Sequence, residues 1–125
     1  GIYDGIAFNH RQHVDGLLAG FDVDQVLVVG GVTRSGIWPQ LFADAINREI
    51  TIADVSEGGA LGTAMVAAVG AGAFADLDEA ASVMGSPTRT VAPNPDGVSV
   101  LEERYQAYRS LQADQLAWWK AQAIG

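Results

Sequence analysis

The sequence predicts an α/β domain, a short parallel sheet flanked by helices. Three observations carry that expectation. Segments with helical spacing alternate with short β-branched runs. The apolar run Val26-Leu27-Val28-Val29 stops at Gly30-Gly31. A second glycine-rich helix start, Glu57-Gly58-Gly59-Ala60-Leu61-Gly62, follows it. Such alternation implies parallel strands joined by right-handed crossovers.

In chain order, Ile2, Ile6, Val14, Leu17 and Leu18 recur at helical spacing over residues 2–19, and Gly20 is a good C-terminal stop. Residues 25–29 are too short and too β-branched for a helix, and four successive apolar residues predict a strand buried on both faces. The next helix starts near Ser35 as N-cap, with Pro39 tolerated in its first turn. Ile37, Trp38, Leu41, Phe42 and Ala45 form its apolar stripe, and Asn47 suits the left-handed turn at its end. Residues 50–52 read as a short strand, and residues 57–69 as a helix rich in Ala and Gly. Each glycine there costs roughly 1 kcal/mol of helix propensity. The small side chains let the helix lie close to a sheet or a ligand. Asp76-Leu77-Asp78-Glu79 opens a short capped helix that ends before Gly85-Ser86-Pro87. Residues 88–97 read as loop. Ser99-Val100-Leu101-Glu102 has a capping-box pattern, opening a last helix whose face is Leu101, Tyr105, Tyr108, Leu116 and Trp119. Two or three strands do not make a sheet of ordinary size. The chain also opens at Gly1 in mid-helix pattern, so the expectation is a piece of a longer protein.

Composition narrows the function classes. At 125 residues and 49% apolar, the chain can bury one core. The absence of cysteine excludes disulfides and thiolate metal sites and fits a cytoplasmic protein. No apolar stretch reaches the length of a membrane span. A net charge of −8 argues against a nucleic-acid partner. ATP is compatible with that charge, because local N–H dipoles, a few cations and Mg²⁺ hold it.

The run Gly30-Gly31-Val32-Thr33-Arg34-Ser35-Gly36-Ile37-Trp38-Pro39-Gln40-Leu41-Phe42-Ala43-Asp44 resembles the C-terminal lobe of the FGGY family of carbohydrate kinases. Asp4-Gly5-Ile6-Ala7-Phe8 is similar to the family's upstream Glu-Gly-Ile-Ala-Phe helix. Glu57-Gly58-Gly59-Ala60-Leu61-Gly62-Thr63-Ala64 resembles its Glu-x-x-Ala-x-Gly-Ala-Ala helix. Pro93-Asn94-Pro95, Tyr105 and Tyr108 match its tail. The set covers nearly the whole chain in order. Departures are Val32 for a third glycine, Asn47 and Glu49 for the usual Gly and Pro, and Asp4 for Glu.

The resemblance implies part of an actin-like (ribonuclease H-like) ATPase fold, with residues 1–125 as the nucleotide-side C-terminal lobe and the N-terminal lobe absent. It implies ATP and Mg²⁺ in the full-length enzyme, with a small sugar or polyol as phosphate acceptor. The catalytic Asp and the sugar-binding groups would lie upstream, so no catalytic residue is expected here and the chain alone is expected to be inactive. Gly30 and Gly31 would let the backbone approach the nucleotide, and Ser35 would hydrogen-bond near the adenine.

Other candidates have plainer readings. Trp38 shares a stripe with Leu41 and Phe42 and reads as a core anchor. Asp44 reads as a structural hydrogen-bond acceptor. Glu57 gains roughly 0.3–1 kcal/mol from a helix start. His10 and His13 lack a third ligand, so no metal site is expected. Trp118-Trp119 reads as an anchor against the body of the domain or against a second copy in a homo-oligomer. A dinucleotide-binding half-domain of an oxidoreductase is the first alternative, but it wants a third glycine at a spacing that Gly36 does not meet. A non-enzymatic interaction module is the second.

Overall fold

The computed structural model describes residues 1–55, 57–86 and 88–122. Its elements are α1 (Ile2–Gly20), β1 (Leu27–Val28), a 3₁₀ turn (Gly31–Arg34), α2 (Trp38–Ile46), β2 (Ile50–Ala53), α3 (Gly58–Gly70), α4 (Leu77–Met84), β3 (Thr88–Val91) and α5 (Pro95–Gln122). The chain divides into two compact units. One comprises residues 1–24, 40–48 and 92 onward, and the other residues 25–39 and 49–91.

The sheet belongs to the second unit. Its order is β1-β2-β3, with β1 parallel to β2 in a register of Leu27 with Thr51 and Val28 with Ile52. All four residues of β2 are buried, Ile50 and Ile52 at 1% and 2% exposure. Leu27 and Val29 are each about half exposed, so β1 is not the doubly covered strand its composition implies. Among the described residues its one sheet neighbour is β2, and an apolar run reports β preference without reporting what covers it. The α/β class stands, but β3 pairs antiparallel to β2, with Ile50 opposite Val91 and Ala53 opposite Thr88. The sheet is therefore mixed, and a strand occupies part of the segment read as loop. The alternating, β-branched Thr88-Arg89-Thr90-Val91 carried that signal, masked by the prolines around it. Pro87 lies outside the described residues.

In the same unit α3 packs against α4. A methyl group on Gly58 would meet the side chains of Val29 and Val55, each at 3.5 Å, so the backbone is close there. Gly59 and Gly62 face open space, so the close approach that small side chains allow is made at Gly58 and not at these two. The cap of α4 forms as its sequence implies. Asp76 Oδ1 accepts from the Glu79 N–H at 2.9 Å, and Glu79 Oε2 accepts from the Ala75 N–H at 2.7 Å.

The first unit is organised around α1 and α5. Asp4 meets Arg104 at 3.0 Å, Phe8 meets the Tyr108 ring at 5.5 Å between centroids, and the Gln12 and Gln112 amides pair reciprocally. Pairs that advance together along both helices mean that the two run parallel. Phe8 also tilts against Tyr105 at 5.4 Å, and the Arg11 guanidinium lies over the Tyr105 ring at 3.9 Å. Arg11 Nη2 binds Glu102 Oε2 at 2.7 Å, and Arg11 Nε lies 3.6 Å from Asp15. Tyr105 donates to that same Asp15 carboxylate at 3.3 Å.

The amide of Gln106 and, after it, the guanidinium of Arg11 hold the Glu102 carboxyl below its ordinary range. A depressed carboxylate stabilises the fold above its unfolded value, and that contribution fades as pH falls through the lower folded value. Glu102 is 45% exposed, so solvent screening limits the effect to about a few tenths of a kcal/mol. Glu102→Gln is expected to lower stability slightly at neutral pH and to converge on the parent in acid. Urea melts at neutral and acidic pH check this, and an unchanged gap at both would refute the assignment.

One helix end matches expectation and two differ in detail. Gly20 is the last residue of α1, and Phe21 beyond it is extended rather than left-handed. Asn47 takes the left-handed turn after α2, at φ 51°. Helix α5 opens four residues before Ser99. Asn94 Oδ1 accepts from the Asp96 N–H at 3.0 Å, and Pro95 is its first residue. The Asn-Pro pair outcompetes the Ser99 pattern because proline at the first position costs no hydrogen bond and presets the helical φ. Leu101 and Tyr105 are buried and Tyr108 half-buried, but Leu116, Trp118 and Trp119 are exposed. The indole rings touch edge to face at 4.9 Å, and at 56% and 62% exposure they are not buried against the rest of this chain.

Candidate functional site

The corner after β1 is built from backbone first. Gly30 has φ 94° and ψ −167°, a conformation essentially reserved for glycine. Its carbonyl accepts twice from Thr33, from the N–H at 3.0 Å and from Oγ1 at 2.7 Å. The Ser35 N–H then closes on the Val32 carbonyl at 3.2 Å. These bonds hold residues 30–35 in one tight turn between strand and helix.

Ser35 serves the helix start, though a 3₁₀ turn precedes it and α2 begins three residues later. Its Oγ accepts from the Ile37 N–H at 3.2 Å and the Trp38 N–H at 3.4 Å. The hydroxyl proton has no acceptor among the described residues and is available to a ligand. Ile37 lies before the helix and is exposed, so it leaves the apolar stripe. Trp38 and Leu41 are half-buried and Phe42 is buried.

Gly30 is half-buried and Gly31 exposed, and a methyl group on either would meet nothing within 4 Å. The corner is thus open to an incoming group. The second glycine-rich helix start lies beside it, since Gly58 approaches Val29, the residue before Gly30. Glu57, at the cap of α3, is exposed and makes no side-chain cap bond. One sheet unit therefore holds Gly30, Gly31, Ser35 and the start of α3.

The remaining candidates lie in the other unit. Asp44 is 8% exposed, and its Oδ1 accepts from the Asn94 N–H at 2.7 Å and the Gln40 amide at 2.8 Å. Gln40 also donates to the Ala92 carbonyl at 3.0 Å. This carboxylate ties the start of α5 to α2 and is structural. His10 packs edge-on against Phe42 at 5.2 Å, and His13 Nδ1 lies 2.8 Å from the Asn9 carbonyl oxygen. Neither imidazole belongs to a group of three metal-donor side chains among the described residues. Two open grooves of about 510 and 500 Å³ run along α1 and α5, one edged by Gln12, Gln112 and Trp119, the other by Asp4, Phe8 and Tyr108. Nothing in the periodicity of either helix singled them out. No described helix is long and apolar enough to cross a membrane.

Residues 1–71 match the family model described as the FGGY family of carbohydrate kinases, C-terminal domain. The L-xylulose/3-keto-L-gulonate kinase of Escherichia coli (strain K12) is 34% identical over 113 residues, 90% of this chain and 23% of that protein. The ribulokinase of Anoxybacillus flavithermus (strain DSM 21510 / WK1) is 35% identical over 117 residues, 88% of this chain and 21% of that one. The crystal structure of xylulose kinase from Rhodospirillum rubrum superposes with a TM-score of 0.73 at 26% identity, covering 93% of this chain and 24% of its own. This chain spans less than a quarter of the length of each of these relatives.

Proposed function

This chain belongs to the FGGY family of carbohydrate kinases, as its C-terminal domain, and we propose that it forms the adenosine-side wall of an ATP cleft. The enzyme it serves transfers the γ-phosphate of ATP to a hydroxyl of a small ketose or polyol. The observation that carries this reading is the open corner at Gly30 and Gly31, followed by a capped helix, in a chain of this family.

The residues fit a nucleotide. Gly31 leaves room for a bulky flat group against bare backbone, and Ser35 keeps one O–H to donate. Mg²⁺ would travel with the phosphates and neutralise their charge. The family's names for its relatives, xylulose kinase and ribulokinase, support a ketose acceptor. No base for that hydroxyl is assigned in this chain. Asp44 is engaged with Asn94 and Gln40 and does not serve as one.

Two measurements test the reading. Titration with a fluorescent ATP analogue is expected to give weak, saturable binding, and NADH none. Tighter binding of NADH would return the dinucleotide alternative. The chain alone is expected to transfer no phosphate to any pentulose, because positioning and base catalysis need groups it does not carry. Turnover by the purified chain would overturn that division of labour.

A further inference from the structure

Arg34 ends the turn that begins at Gly31, and it is exposed. In a 3₁₀ turn residues three apart eclipse one another. Arg34 therefore projects from the same face as Gly31, the residue whose Cα looks onto open space. The turn beneath is held by the paired Thr33 bonds to Gly30 and by the Ser35 bond to Val32, so the arginine stem starts from a fixed point.

Charge makes that position informative. In the unit that carries the corner the basic side chains are Arg34 and Arg89. Arg89 is on β3, opposite Ile52 and at the other edge of the three-stranded order from β1. Among the described residues Arg34, like Arg48, Arg89 and Arg109, has no carboxylate partner, whereas Arg11 and Arg104 are engaged with Glu102 and Asp4; what sets Arg34 apart is its place in the corner. The corner of an acidic protein thus presents a guanidinium without a carboxylate partner beside the open backbone of Gly30 and Gly31.

We propose that Arg34 binds a phosphate group of the nucleotide that occupies the space over Gly31. The inference rests on the ATP-corner reading above and extends it to a phosphate-recognising side chain. A guanidinium matches two phosphate oxygens with two parallel N–H bonds, which a lysine ammonium does not reproduce. Adenosine, which has no phosphate, gains nothing from Arg34.

The test uses the ¹⁵N-labelled chain, whose backbone amide shifts report even weak ligands at individual residues. ATP and adenosine are titrated separately into the parent chain, Arg34→Gln and Arg34→Lys. The expected result is that Arg34→Gln weakens ATP by about tenfold while adenosine binding is unchanged. Arg34→Lys should fall between, and added salt should narrow the gap between parent and Arg34→Gln. Equal weakening of ATP and adenosine would overturn the proposal in favour of base stacking, and so would no change in either. The two levels of inference fail distinguishably. If ATP leaves the Gly30, Gly31 and Ser35 amides of the parent unmoved, the corner itself is wrong. If those amides respond equally in parent and Arg34→Gln, only the role of Arg34 is wrong.

Discussion

Gly30→Ala is expected to lower the unfolding free energy by about 1–3 kcal/mol, while Gly31→Ala leaves it nearly unchanged. The two glycines are adjacent, and neither has a neighbour within 4 Å of an added methyl group, so crowding cannot tell them apart. Backbone conformation does. Gly30 has φ 94°, where an L side chain is strained whatever the space around it, and Gly31 starts a turn that alanine adopts freely. Function should divide in the opposite sense. Gly31→Leu fills the opening over the backbone and is expected to weaken ATP by about tenfold with little loss of stability. Urea melts and nucleotide titrations of the three variants check both halves. Equal stability of Gly30→Ala and the parent would refute the assigned backbone, and unchanged ATP binding by Gly31→Leu would refute the site.

Asp44→Ala is expected to cost about 2–3 kcal/mol, from the loss of a charged acceptor that leaves the Asn94 N–H partly buried and unpaired. Asp44→Asn keeps one carbonyl oxygen for that N–H and should cost about half as much. Gly97→Ala reaches the same place from the other side, because its methyl group would overlap Asp44 Oδ2 and press the carboxylate off its partners. It should therefore destabilise far more in the parent than in an Asp44→Ala background, a non-additivity expected of groups in contact. Strict additivity would show that Gly97 and Asp44 do not act through one another.

What was legible in advance was what neighbours along the chain decide. The periodicity of α1, the Asp76 and Glu79 cap, the left-handed turn at Asn47 and the glycine corner all depend on residues within a few positions of one another. The ordered motifs also sufficed for the family. Three features were not legible, and each has a long-range cause. Residues 88–91 became a strand because β2 offered a partner across the sheet, which local proline content concealed. The exposure of Leu27, Val29, Trp118 and Trp119 contradicts their hydrophobicity, since burial depends on what else folds against a residue. At the candidate site, Gly30, Gly31 and Ser35 were identifiable as a corner, but the Gly58 approach to Val29 was not.

The chain's own order of residues determined its helices, their caps, the turn that demands glycine and the family to which it belongs. Each of these is a short-range choice, made by sterics and hydrogen bonds among neighbours. The folded structure alone decided strand direction, the partner of Asp44 and the openness at Gly31. Asp44 meets its Asn94 partner fifty positions away, and a pairing between groups so far apart exists only once the intervening chain has folded and its loop-closure entropy has been overcome.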